Sequence, residues 1–161
     1  MRRRRLSIAW REDSDLEFKL LNMRIPIVKL PEAQVVHPVR EAPWGVSIRE
    51  QKKGVYDALL FKKYPELYRL KIQARPIWNY YIINALWIAL FLAIILQQFF
   101  LINGCIIVMI WLYGKFIYKR LKPSSKSLSH VLEMLSTSIL IPTISVYWRI
   151  YGAIKYRVFF I

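Results

Sequence analysis

Residues 76–114 read PIWNYYIINALWIALFLAIILQQFFLINGCIIVMIWLYG, and none of these 39 residues is Asp, Glu, Lys or Arg. As one helix this stretch would be about 58 Å long at ~1.5 Å per residue, whereas the hydrocarbon core of a bilayer is only ~30 Å thick. Two spans joined by a tight uncharged turn match the bilayer thickness better than one long helix does. We therefore predict a transmembrane hairpin with spans at about Tyr80 to Leu96 and Leu101 to Ile117.

The flanks of this run are basic, in a chain of 161 residues with a formal net charge of +15. Lys71 and Arg75 precede the first span, and five cations lie at or beyond the end of the second: Lys115, Lys119, Arg120, Lys122 and Lys126. The positive-inside rule places both hairpin ends in the cytoplasm, so we expect a multi-pass protein of the inner membrane. The same charge favours membrane lipid as a partner, not nucleic acid. No cleavable signal peptide is expected, since acidic residues soon follow the first arginines.

Residues 44–76 form a basic amphipathic segment. Ser47 and Glu50 have capping-box spacing, and Pro65 suits the first turn of a further short helix. Apolar residues are spaced for one helical face: Ile48, Val55, Tyr56, Leu59 and Leu60. Such helices lie in the headgroup plane and bind anionic lipid. The alternative is the solvated face of a globular helix.

Residues 119–161 contain a basic loop and a third apolar stretch, Val131 to Trp148. As a full span it would place Arg149, Lys155 and Arg157 outside, against the charge rule. A re-entrant or interfacial segment is therefore favoured over a third span.

Residues 1–43 read as a small piece of an α/β domain. Ser14 and Glu17 have capping-box spacing, which predicts a helix over Asp15–Leu21. Leu16, Leu20 and Met23 would share one face of this helix, and Asn22 is a candidate left-handed stop. Residues 25–28 and 34–36 then predict short extended pieces around Pro31.

A local motif, WREDSDLEF at 10–18, resembles the acidic motif of family-2 glycosyltransferases. The resemblance continues through IPIVKLPEAQVVHPVR at 25–40, APWGVSIR at 42–49, LLFKKYPELYR at 59–69 and VYWRIYGAIKYR at 146–157. It covers nearly the whole chain after Ala9. It implies the C-terminal part of a membrane-anchored enzyme, in which a remnant of the GT-A-type α/β catalytic domain precedes a mostly α-helical membrane module.

The resemblance also implies site residues. Asp13, beside Glu12, would be the general base that removes the acceptor hydroxyl's proton; on spacing alone both are simply first-turn acids. His37 would complete the site of a divalent metal, Mn²⁺ or Mg²⁺, or is a hydrogen-bonded histidine before a proline. Arg40 is a weaker candidate for binding diphosphate, because surface arginine is the default. The implied reaction moves a sugar from a nucleotide-sugar to a lipid or glycan acceptor.

The chain departs from the family pattern in two places. No Asp-x-Asp motif precedes Trp10, so the nucleotide-binding half must come from elsewhere, such as a separate partner chain, and we expect this chain alone to be inactive. The Gln-x-x-Arg-Trp motif of processive members is also absent, which implies transfer of single sugars. The rival hypothesis is a non-enzymatic membrane adaptor, or degenerate remnant, with an inert Glu-Asp motif.

Overall fold

The computed structural model describes residues 11–28, 30–36, 42–123 and 127–160. Within these ranges the chain is mostly helical and contains no β-strand. A 3₁₀ turn at Gln51–Lys53 links the second and third of seven α-helices: α1 (Glu12–Asn22), α2 (Val46–Glu50), α3 (Gly54–Lys63), α4 (Pro65–Lys71), α5 (Trp78–Ile95), α6 (Phe99–Leu121) and α7 (Leu128–Tyr156).

The N-terminal part differs from the expected α/β fragment. Residues 25–28 and 34–36, predicted to be extended, form no strand, since a strand needs a neighbour with which to share its backbone hydrogen bonds. The capping-box prediction at Ser14 is wrong: α1 begins three residues earlier than predicted, after Arg11, whose φ of 63° is left-handed. Ser14 therefore lies inside the helix.

The end and the buried face of α1 also differ from prediction. Asn22 is the last helical residue, and the left-handed position is Arg24, with φ of 55°. Phe18 is the buried residue of α1, whereas Leu16 and Met23 are more than half exposed. The face that packs is selected by the neighbouring helices, which local spacing does not reveal.

The helices α5 and α6 form an antiparallel pair joined by a tight turn, in which Gln97 has a left-handed φ of 53°. Their lengths, 18 and 23 residues, correspond to about 27 and 34 Å. Most of their large apolar side chains are exposed, and the buried ones form a narrow seam: Ile83, Ala93, Cys105, Met109 and Leu112. A contiguous apolar surface of this kind is typical of a membrane-facing or protein-binding surface.

The third apolar segment is one continuous helix, α7, of 29 residues with Pro142 inside it. A re-entrant segment turns back within the membrane, whereas residues 128–156 form one uninterrupted helix. In the described ranges α5, α6 and α7 are the three helices long and apolar enough to cross a membrane. The buried side of α7 is rich in small and polar residues, including Thr137, Ser138, Ser145 and Gly152.

We call α2 to α4 the juxtamembrane helices, and α2 and α3 lie beside α7. Gly45 N donates to Glu133 Oε1 at 2.7 Å, and Lys62 Nζ donates to the carbonyl of Tyr156 at 2.5 Å. These two contacts are near opposite ends of α7, so α2 and α3 run parallel to it. The apolar face predicted for residues 44–76 therefore packs on protein, facing neither lipid nor solvent.

Among the juxtamembrane helices, the start of α4 agrees with prediction and the start of α2 does not. Pro65 starts α4 as expected. The capping box at Ser47 and Glu50 is wrong, because Gly45 with φ of 75° precedes α2, and no side chain caps that helix. Instead, the Ser47 hydroxyl accepts a hydrogen bond from Arg120 at 3.1 Å.

Candidate functional site

The acidic motif lies on α1, whose first turn contains Glu12 and Asp13. Both side chains are exposed, and neither forms an ion pair within the part of the chain that the structure describes. Acidic side chains in the first turn of a helix interact favourably with its backbone dipoles. An exposed carboxylate can accept a proton from a hydroxyl group brought next to it.

The other charged groups of the motif fasten α1 to the juxtamembrane helices. Arg11 Nε is 2.8 Å from Asp57 Oδ1 on α3. Further along α1, Asp15 pairs with Lys63 at 2.7 Å, and Glu17 pairs with Lys71 on α4 at 2.5 Å. The Asp15 and Glu17 pairs are partly exposed, and pairs of this kind contribute only about 0.2–1 kcal/mol each, whereas Asp57 is buried. Together the three pairs, at positions 11, 15 and 17, hold α1 against α3 and α4, whereas the first-turn acids remain exposed.

Apolar packing supports the same arrangement. Phe18 is 1% exposed, and its ring meets Tyr64 edge-on at 5.8 Å between centroids. It belongs to a core cluster built from α1, α3, α4 and the C-terminal end: Phe18, Val55, Ala58, Leu59, Leu60, Tyr68, Tyr156 and Phe160. The acidic motif is thus part of the same packed unit as the juxtamembrane helices.

Buried polar side chains belong to this cluster or adjoin it. Asp57 is 7% exposed, Tyr68 1% and Arg149 6%. Arg149 donates to Gln73 Oε1 at 2.7 Å and lies over the ring of Phe160 at 5.1 Å. Burial, with a further contribution from the Asp57 carboxylate, raises the pKa of Tyr68 well above its usual value. This tyrosine therefore stays neutral throughout the physiological pH range.

A second polar centre joins α6, α7 and α2. Arg120 donates to Thr137 Oγ1 at 2.9 Å, Ser138 Oγ at 2.5 Å and the Met134 carbonyl at 3.2 Å, in addition to Ser47. Arg120 was expected only as one of the cytoplasmic cations after the second span. Its guanidinium, which has a planar fork of donors, instead holds three helices together at the base of the hairpin.

The remaining predicted site residues, His37 and Arg40, lie outside the described residues. Among the described residues no group of three His, Cys, Asp or Glu is placed to hold a metal ion. The sequence patterns did not single out Asp57 and Arg149 as functional residues. Each is a single charged residue within an apolar run. That pattern could have indicated a buried, paired charge, because charged residues are rarely buried unless they are paired.

Comparison with known proteins adds no assignment to this geometry. No protein-family model matches the chain, and neither a curated protein nor a solved structure shows significant similarity to it.

Proposed function

We propose that α5 and α6 cross the inner membrane as a hairpin with both ends in the cytoplasm, and that α7 lies in the plane of the membrane surface. Three features of α7 support this topology. Its hydrogen bonds to the hairpin, in the described residues, come from the halves of α5 and α6 that lie away from the turn at Gln97: from Asn84, Tyr113 and Arg120.

The second feature is what packs on one side of α7, and the third is what the opposite side exposes. The charged helices α2 and α3 flank one side along most of its length. The opposite side exposes an apolar stripe that includes Leu132, Leu135, Ile139, Ile150 and Ile154. A helix with lipid-compatible residues on one side and charged helices on the other is suited to the interface, not to a span.

We further propose that the chain is the membrane module of a family-2-like glycosyltransferase, which moves a sugar from a nucleotide-sugar to a lipid or glycan acceptor. The observation that carries this proposal is the fastening of α1: Asp15 and Glu17 are in ion pairs, whereas Glu12 and Asp13 are free of ion pairs in the described residues and exposed. The motif's candidate base is thereby held at a fixed place beside the membrane module.

In this proposal Asp13 accepts the acceptor hydroxyl's proton, and Glu12 lies beside it. The donor's diphosphate is held by a nucleotide-binding half and a divalent metal, with His37 as a metal ligand and Arg40 as a diphosphate contact. The proposed partner of the chain is therefore a nucleotide-binding domain, whether on the same polypeptide or on a separate one. Without that half the donor is not positioned, and we expect no transfer.

The test compares two single substitutions in the restored enzyme, formed by fusing or mixing the chain with a nucleotide-binding half. Asp13→Asn should lower transfer by about 10²–10⁴-fold, because an amide cannot accept the proton, and donor binding should be largely kept. Asp15→Asn is the matched control: it removes an equal charge two residues away and loses only the ion pair with Lys63. Equal turnover of Asp13→Asn and the unaltered enzyme would show that Asp13 is not the base, whereas no transfer by the restored unaltered enzyme would favour the non-enzymatic adaptor.

A further inference from the structure

A cavity of about 400 Å³ lies where α4, the loop before α5 and the C-terminal residues meet. This volume is in the range of small-molecule sites. Its wall includes Arg69 from α4, Gln73 and Arg75 from the loop, Trp78 from the start of α5, and Phe159. We call it the basic cavity.

The charge of the basic cavity is positive. Arg69 and Arg75 line it and are exposed, and no Asp or Glu is among its described lining residues. Arg149 lies behind the wall, where it bonds to Gln73, and one of its two terminal nitrogens has no hydrogen-bond partner among the described residues. The nearby carboxylate of Asp57 is engaged by Arg11. The cavity therefore attracts an anion.

Gln73 connects the buried guanidinium to the cavity wall. Its Oε1 accepts from Arg149, and its Nε2 donates to the carbonyl of Arg75 at 2.8 Å. The backbone at Arg75 is thus tied, through Gln73, to the buried Arg149. Arg69 is similarly restrained, since its guanidinium lies 5.4 Å from the ring centroid of Phe61. Restrained cations lose little conformational freedom when a ligand binds.

The edge of the basic cavity is apolar and aromatic. Trp78 is 57% exposed and Phe159 is 84% exposed. Trp78 is also the first residue of α5, so the cavity lies at the level where a membrane span would begin. Tryptophan at that level is typical of the boundary between headgroups and acyl chains. A ligand here meets cations on one side and apolar surface on the other.

We propose that the basic cavity binds the headgroup of an anionic phospholipid, with the phosphate at Arg69 and Arg75 and the acyl chains passing Trp78 and Phe159. The combination of restrained cations, an exposed aromatic edge and a position at the start of a span fits this ligand. The inference does not depend on the proposed glycosyltransferase function, since it concerns only residues of the membrane module.

The test measures binding of short-chain phosphatidylglycerol to the purified full chain in a neutral detergent at physiological salt. Short-chain phosphatidylcholine and inorganic phosphate are the comparison ligands. We expect saturable binding of phosphatidylglycerol, with much weaker binding of the other two. The double variant Arg69→Gln/Arg75→Gln should weaken it about ten- to thirty-fold, which corresponds to the usual effect of two basic residues near a lipid headgroup.

Two further variants separate a site from general surface charge. Lys119→Gln/Lys122→Gln removes the same charge from exposed positions at the end of α6 and should change the affinity less than twofold. Ala74→Trp keeps every charge but fills the cavity from an exposed lining position, and it should weaken binding as much as the arginine variant does. Equal losses in the two charge variants, or unaltered binding by Ala74→Trp, would overturn the site. Inorganic phosphate binding as tightly as the lipid would identify a free anion as the ligand instead.

Discussion

A single methyl group added at Gly152 tests the contact that joins α7 to the juxtamembrane helices. A Cβ atom at this glycine would lie 3.0 Å from both Cα and the carbonyl oxygen of Val55, and 3.1 Å from Cβ of Ala58. Non-bonded carbon atoms prefer about 3.5–4.0 Å. Two of these three atoms belong to the α3 backbone, which cannot move like a flexible side chain, so α3 and α7 must separate by about 0.5–1 Å.

The expected cost of Gly152→Ala follows from two opposing effects. Overpacking a well-packed contact costs about 1–3 kcal/mol. Replacing a helical glycine by alanine returns about 1 kcal/mol through helix propensity. Gly114→Ala is the matched control, because it also replaces a helical glycine but its added Cβ meets nothing within 4 Å. The two variants should therefore differ by about 1–3 kcal/mol, with Gly152→Ala the less stable.

Thermal unfolding in detergent measures this difference. The chain contains a single cysteine, Cys105, which is 5% exposed, so a dye that fluoresces on reacting with a thiol reports unfolding. For a protein of this size, 1 kcal/mol shifts the Tm by about 2–4 °C. We expect Gly152→Ala to melt at least about 2 °C below Gly114→Ala. Equal melting temperatures would refute the close contact between α3 and α7.

Three other predictions concern topology, pH and the ion pairs of α1. In a background without Cys105, cysteines at Ser127 and at Phe159 should both be labelled only from the cytoplasmic side; labelling of one of them from outside would mean that α7 spans the membrane. The raised pKa of Tyr68 means that the folded state keeps a proton that the unfolded state loses above about pH 10. Stability should therefore fall as the pH rises beyond 10, and Tyr68→Phe should reduce that fall in alkaline melting curves, with an unchanged slope counting against the buried phenol. Finally, Asp57→Asn should lower the free energy of unfolding by about 1–3 kcal/mol, measured by denaturation; a wild-type value would show that Arg11 does not anchor α1.

The membrane character of the chain was predictable because it depends on local composition. The uncharged run from Pro76 to Gly114 must leave water, and its length relative to the bilayer requires two helices in place of one. The observed α5 and α6 overlap both predicted spans. The start of α4 at Pro65 was predictable for a similar reason, since a proline at the first helical position requires no partner elsewhere in the chain.

The candidate site was predictable only as a motif. The sequence singled out Glu12 and Asp13, but it could not show that Asp15 and Glu17 would be bound by lysines 48 and 54 residues away. Both capping-box predictions failed because Ser14 and Ser47 had other surroundings in the folded chain than their spacing suggested. A capping box stabilises a helix by about 1 kcal/mol. Burial of an apolar side chain such as Phe18 stabilises the fold by more than this.

The arrangement of α7 was decided by tertiary structure alone. Its sequence is apolar enough for a span, and its small polar residues gave no sign of which neighbours they would contact. In the folded chain, Gly152 allows the α3 backbone to approach α7 closely. The hydroxyls of Thr137 and Ser138 accept hydrogen bonds from Arg120. Hydropathy is a sum over one segment, whereas a helix–helix contact depends on the shapes and charges of two segments, so the sequence determined which helices avoid water and the tertiary structure decided how they meet.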